Sequence, residues 1–384
     1  MSTSVESKPT SWLDRLRERK LMRKIGAGAM AVQAITGITS EMGFSLMPSA
    51  VYSYAETDEA VTYTPNTFCI FLPGRGITRL VRDFADAYQP TTRQYCRSTV
   101  LEYSEGGISE KELEHSIRRY VNDHAIPDKP VQLVVIASSM GGDVAVPVFG
   151  AIARDTENTS QPISTRGLLL DSSPAGTISL KGPIQGLAVG TMSGLQGKPV
   201  HGIFEPPLRV GFEFASRAVN HDFPDSPSTI LPYLQDGARV ANETQGRLDM
   251  DEMNIINNFD PDKHDYGFLK KANAVIVYTH ADTEAADTTV EWSVASWLWK
   301  TALARQQICM GEIAIKDGRH ANPNTAPDPY NQALLSLLKQ TGLPTIADLR
   351  HEELYDHFDR VSSDGHFIRV NRVDRVSAVR YQDE

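Results

Sequence analysis

Cysteine is scarce in this chain: Cys69, Cys96 and Cys309 are the only three in 384 residues. Three thiols make neither a disulfide framework nor a four-thiolate zinc site. Cys69 and Cys309 lie in strand-like apolar runs and read as small buried hydrophobes. Basic charge is short as well, with 38 Lys plus Arg against 48 Asp plus Glu and a formal net charge of −10. Phosphate binding needs a basic footprint, so nucleic acid is not expected as a partner. The HExxH spacing is missing too, and the residues imply no metal and no cofactor. No apolar run reaches the ~20 residues of a spanning helix. With 41% hydrophobic and 22% charged residues, the composition is that of a globular protein with ample chain for a core.

The N-terminus differs from the rest. SWLDRLRERKLMRK (11–24) is strongly basic, and IGAGAMAVQAITGIT (25–39) follows without a charge. A basic region followed by an apolar one is the order of an export signal, and Ser53 and Ala55 in MPSAVYSYAETDEA stand at the small-residue spacing of a cleavage site. The alternative is an amphipathic surface helix packed on the body of a cytoplasmic protein. Residues 1–60 are thus set apart as an N-terminal segment, with export or association with a membrane or the cell envelope slightly favoured. Gly26, Gly28 and Ala31 spell GxGxxA, but a basic stretch precedes them where a dinucleotide site needs a strand.

From residue 61 onward strand and helix alternate. Phe68–Leu72, Arg97–Tyr103, Val131–Ala137, Gly167–Asp171, Asn273–Tyr278 and Ile308–Ile315 read as strands, mostly short and apolar. Stretches at helical period stand between them, at 77–88, 110–124, 141–155 and 290–305, with another at 330–340. The alternation predicts an α/β protein with a mostly parallel central sheet flanked by helices. Residues 177–270 break the pattern and are too long for a plain loop, which predicts a mainly helical insertion. Residues 342–384 form a charged C-terminal extension.

Chemistry concentrates where Val131–Ala137 runs into Ser-Ser-Met-Gly-Gly-Asp. A serine hydroxyl becomes an effective nucleophile when it is held on a tight turn beside a base and backbone N–H groups. Ala137 and Gly141, two residues either side of Ser139, permit such a turn. Ser104 and Ser363 also have a glycine two residues on, but neither lies between a strand and a helix.

On these residues the sequence resembles the α/β-hydrolase family over roughly 66–176 and 271–341, within a core of 61–176 and 271–341. Ala137-Ser138-Ser139-Met140-Gly141 matches the family's nucleophile elbow, and Pro73-Gly74-Arg75-Gly76 its oxyanion loop. The resemblance implies that the main-chain N–H groups of Arg75 and Met140 form the oxyanion hole, with Gly74, Gly76 and Gly141 lining the substrate position. It also implies the chain order Ser, acid, His. After strand 273–278 comes Thr-His-Ala-Asp282-Thr-Glu284, and after strand 308–315 comes Lys-Asp-Gly-Arg-His320. Asp282 is the expected acid and His320 the expected base. Asp171, which also ends a strand, is the alternative acid, and Glu284 and Asp287 share the loop of Asp282. His280 lies too near Asp282 in sequence to face it across a triad. His366 falls in the C-terminal extension, and His201, His221 and His264 fall in the insertion.

In this family an insertion at 177–270 usually caps the nucleophile. Met192, Phe204, Pro206, Phe212, Phe214, Phe223 and Tyr233 would then line an apolar pocket or form the cap's own small core. The expected activity is covalent serine hydrolysis of an ester or related acyl bond in a small or lipid-like substrate. Peptidase or thioesterase chemistry on the same residues is the nearest alternative. A catalytically silent hydrolase-like binding protein is favoured only if Asp282 and His320 fail to converge on Ser139. Nucleotide binding through Gly74 and Gly76 lacks the third glycine of its motif.

Overall fold

A computed structural model describes residues 50–53, 57–74, 78–103, 107–182 and 246–350. Strands are β1 (Ala50–Ser53), β2 (Thr67–Leu72), β3 (Arg97–Glu102), β4 (Val131–Ser138), β5 (Ile163–Asp171), β6 (Val275–Ala281) and β7 (Met310–Ile315). Helices are α1 (Asp58–Tyr63), α2 (Thr78–Thr92), α3 (Glu110–His124), α4 (Gly141–Thr156), α5 (Gly246–Asn258), α6 (Gly267–Lys271), α7 (Trp292–Arg305) and α8 (Pro327–Gln340). The seven strands form one sheet in the order β1-β3-β2-β4-β5-β6-β7, with β1 antiparallel to β3 and every other neighbouring pair parallel. The expected mostly parallel sheet flanked by helices is the one observed.

Burial on both faces explains the unbroken apolar strands. On β2, Phe68, Ile70 and Leu72 pack with α3, α4 and α7 on one face, while Cys69 and Phe71 pack with α2 and α8 on the other. Each such side chain, fully withdrawn from water, contributes about 1.5–3 kcal/mol. On the first face Trp299 of α7 is fully buried and donates its indole N–H to Pro174 O at 3.0 Å. On the second, Tyr88 of α2 makes edge-on ring contacts with Phe84 of the same helix and with Tyr330 of α8. Helix α3 begins where Ser109 accepts the Glu112 N–H, with Glu110 and Glu112 in the positive first turn.

Three features depart from the expectations. Ala50–Ser53, read as part of a cleavage region, supplies the edge strand and pairs with Thr99–Glu102. A cut after Ala55 would remove that strand from the sheet. Cys69 is not a free thiol but is disulfide-bonded to Cys96, with Cα atoms 5.7 Å apart. The parallel β2–β3 register sets Phe68 opposite Arg97, which brings Cys96, one residue before β3, alongside Cys69. Cys309 is exposed rather than buried, because it lies just ahead of β7.

The sheet also has a switch point. Strands β3 and β4 lie on opposite sides of β2, so the chain reverses direction across the sheet at β2. A crevice opens beyond the carboxyl ends of the strands at such a reversal. The segments leaving those ends are Pro73-Gly74 after β2 and Ser139 after β4.

Candidate active site

Ser139 adopts φ 47°, in the left-handed region, at a cost of about 1–3 kcal/mol for a non-glycine residue. The surrounding backbone holds it there. Its N–H donates to Asp171 O at 2.8 Å, and its carbonyl accepts the Gly142 N–H at 3.1 Å. Helix α4 starts hard against the ends of β2 and β5. A Cβ on Gly141 would lie 2.8 Å from Leu72 O and 2.9 Å from Pro73 O, and one on Gly142 2.5 Å from Ser173 Oγ. Tyr103 donates its hydroxyl to Pro73 O at 3.0 Å and pins the loop after β2. The turn leaves Ser139 half-buried, with Met140 fully buried at the first position before α4. Of the residues expected around it, Gly74, Gly141 and Met140 adjoin Ser139; Arg75 and Gly76 lie outside the described residues.

His320 reaches the serine from the loop after β7. Its Nε2 is 2.9 Å from Ser139 Oγ. The loop bends through Asp317 (φ 59°) and Ala321 (φ 40°), and Tyr330 donates its hydroxyl to Arg319 O at 2.8 Å. The other ring nitrogen, Nδ1, is 3.1 Å from Asp287 Oδ2 and 3.0 Å from Oδ1. A carboxylate only accepts, so Nδ1 carries the proton and Nε2 is left as the acceptor for the serine hydroxyl.

The acid facing His320 is therefore Asp287 and not Asp282. The N–H of Asp282 extends the β6–β7 ladder to Ile315 O at 3.1 Å, and its side chain is exposed. Five residues farther on, after a turn closed by Ala286 N–H to Thr283 O, the chain has curled back beneath the imidazole. Asp287 is fully buried there, and its Oδ1 accepts the N–H groups of Thr289 at 2.9 Å and Val290 at 2.8 Å. Burial pushes its carboxyl up. The hydrogen bond and charge of His320, with those two backbone donors, outweigh that and hold it below the usual range. Glu284, on the same loop, instead accepts the Ser293 N–H at 2.9 Å.

Asp171 occupies a different position. It ends β5 opposite Ser138 and Thr279, and its Oδ1 accepts the Thr279 hydroxyl at 3.1 Å. Burial pushes its carboxyl up to about 8; the Thr279 bond opposes this and the charge of Asp287 adds to it. Neither ring nitrogen of His320 meets it. His280 is buried and engaged elsewhere, with Nδ1 2.7 Å from Ala281 O, Nε2 3.1 Å from Glu312, and the ring stacked 3.8 Å from Trp292. His264 is stacked on Phe259 at 4.7 Å, and burial lowers its basicity.

His201, His221 and His366, with the proposed pocket residues Met192, Phe204, Pro206, Phe212, Phe214, Phe223 and Tyr233, lie outside the described residues. Among the described residues no group of three or more His, Cys, Asp or Glu side chains is placed to hold a metal ion, and no helix is long and apolar enough to cross a membrane.

No protein family description and no curated protein matches the chain. Solved structures do. A hydrolase from Pseudomonas aeruginosa PA01 is 14% identical at a TM-score of 0.42, covering 76% of this chain and 93% of its own. A membrane phospholipase A, described as a bacterial virulence factor, is 13% identical at 0.46, covering 86% and 99%. A thermophilic esterase from Thermogutta terrifontis is 14% identical at 0.44, covering 76% and 93%.

Proposed function

We propose that the protein is a serine hydrolase that cleaves an ester or related acyl bond through an acyl-enzyme on Ser139. The observation that carries this reading is the continuous hydrogen-bonded line from Ser139 through His320 to Asp287, anchored on a left-handed turn at the sheet's switch point. A strained serine in contact with a histidine whose other nitrogen meets a buried carboxylate is costly to maintain for packing alone.

In the proposed reaction Ser139 Oγ attacks the substrate carbonyl carbon as its proton passes to His320 Nε2. Asp287, already ionised, fixes the Nδ1–H tautomer and stabilises the imidazolium. The oxyanion is met by main-chain N–H groups, for which Met140 and Arg75 are the candidates by position. Collapse breaks the bond to the leaving group, which takes the proton from His320 and departs. Water then attacks the acyl-enzyme, gives its proton to His320, and releases the acid as Ser139 Oγ is reprotonated.

Labelling with a fluorophosphonate probe tests the nucleophile. The wild type should label and Ser139→Ala should not; equal labelling of both would overturn the proposal. A panel of p-nitrophenyl esters of increasing chain length, with a thioester and an anilide, then identifies the bond cut. The expected order favours esters, and faster anilide turnover would assign a peptidase instead.

A further inference from the structure

We infer that Lys181 is a positioning residue for Asp287, gripping the loop that carries the acid from the first residues of the insertion. This rests on the reading of Ser139, His320 and Asp287 as the reacting line. Residues 177–181 run beside the end of that loop. Leu180 bridges Val290, the Lys181 N–H donates to Thr289 O at 3.0 Å, and the Glu291 N–H donates to Ser179 O at 2.8 Å. The Lys181 side chain adds a second grip, its ammonium donating to the carbonyls of both Glu284 and Asp287.

Those two carbonyls, Glu284 within the turn and Asp287 just past it, lie on the stretch that carries the chain from the exposed Asp282 back beneath His320. In this partly buried place each needs a donor, since a withdrawn carbonyl left unpaired costs about 1–3 kcal/mol. A lysine ammonium offers three donors on a compact point charge and can serve two carbonyls at once. It does not act by pairing with the carboxylate. The groups that hold the Asp287 carboxyl ionised are His320 and the N–H groups of Thr289 and Val290. Lys181 therefore fixes where the Asp287 backbone sits, and through it the aim of the carboxylate at Nδ1. A misplacement of about 1 Å in such a line costs on the order of 10²-fold in rate.

The experiment is a double-substitution cycle read by the rate of fluorophosphonate labelling and by ester kinetics on the full chain. Lys181→Met should slow labelling and lower kcat by about 10- to 100-fold, with KM within about 2-fold. Lys181→Arg, which keeps the charge and can still reach two carbonyls, should recover part of that loss. In an Asp287→Asn background the Lys181→Met step should change the rate by less than about 2-fold, because the group it positions is already disabled.

An equal loss in both backgrounds would overturn the inference, as would a raised KM with kcat unchanged. If Lys181→Met does not fold, Lys181→Arg is read through the same cycle against the same criteria. A wild type that does not label defeats the functional reading and this inference with it. A labelled wild type with unslowed Lys181 variants defeats this inference alone.

Discussion

A Cβ placed on Gly74 would lie 2.7 Å from the Cβ of Ser139 and 2.9 Å from the Ser138 carbonyl oxygen, so the loop after β2 and the turn after β4 touch at a point that admits no side chain. Both obstacles are held by backbone, one of them on a residue at φ 47°, and neither can swing aside. Gly74→Ala must push the Pro73-Gly74 loop off the turn, moving the proposed donors on its two sides apart. Loss of one oxyanion donor typically costs about 10²–10³ in kcat, and a fall of that order is expected with a smaller change in KM. Steady-state ester kinetics alongside thermal unfolding checks it; turnover like the wild type would show that the contact is not needed.

The acid assignment separates two residues on one loop. Asp287→Asn keeps the shape but no longer forces the proton onto Nδ1, and kcat should fall by about 10³–10⁴. Asp282→Asn changes an exposed side chain whose structural role is carried by its backbone N–H, and kcat should stay within about 2-fold. Kinetics of the two variants side by side, with thermal unfolding to confirm that both are folded, decides between them. The reverse pattern would return the acid to position 282.

Ser139 and His320 are readable from sequence for a local reason. Ser139 directly follows the apolar strand β4, His320 comes five residues after the end of β7, each on a glycine-containing turn, and chain order supplies their sequence. Asp287 is not readable that way. Its loop offers Asp282, Glu284 and Asp287, and the choice among them depends on how far the chain curls before Lys181 and the Thr289 and Val290 N–H groups stop it. The Cys69–Cys96 bond is hidden for a similar reason: both strands are visible, but the register that sets Phe68 beside Arg97 is a tertiary fact. Strand β1 escapes notice because four residues are too few to show a period. Lys181 is hidden too, because it is a single side chain with no motif around it.

Asp171 should make stability fall as pH rises. Its folded value is near 8, against about 3.9 for an unperturbed Asp. Below about pH 4 both states hold the proton and its contribution is fully present. Between about 4 and 8 the unfolded chain has released the proton while the folded chain retains it, which removes up to about 1.4 kcal/mol of stability per pH unit. Asp171→Asn, which can still accept from the Thr279 hydroxyl, is free of that loss. Urea unfolding at pH 5 and pH 8 should show the variant gaining on the wild type at the higher pH. A difference between the two proteins that does not change with pH would mean that Asp171 is ionised in the folded state.

The disulfide divides the three cysteines by reactivity. Cys69 and Cys96 are buried while Cys309 is exposed, so maleimide applied to the native oxidised protein should add once, at Cys309. After denaturation and reduction it should add at all three. The bond closes a 27-residue separation, for which loop-closure arguments give about 3.5 kcal/mol. Cys69→Ala combined with Cys96→Ala should lower Tm by roughly 7–14 °C at the usual 2–4 °C per kcal/mol for a domain of this size. Such bonds persist in oxidising compartments and are rare in a reducing cytosol. Protein made in a reducing cytosol should therefore carry three alkylatable thiols and melt lower than protein carried into an oxidising one. Identical thiol counts from the two sources, at three each, would show that Cys69 and Cys96 stay reduced.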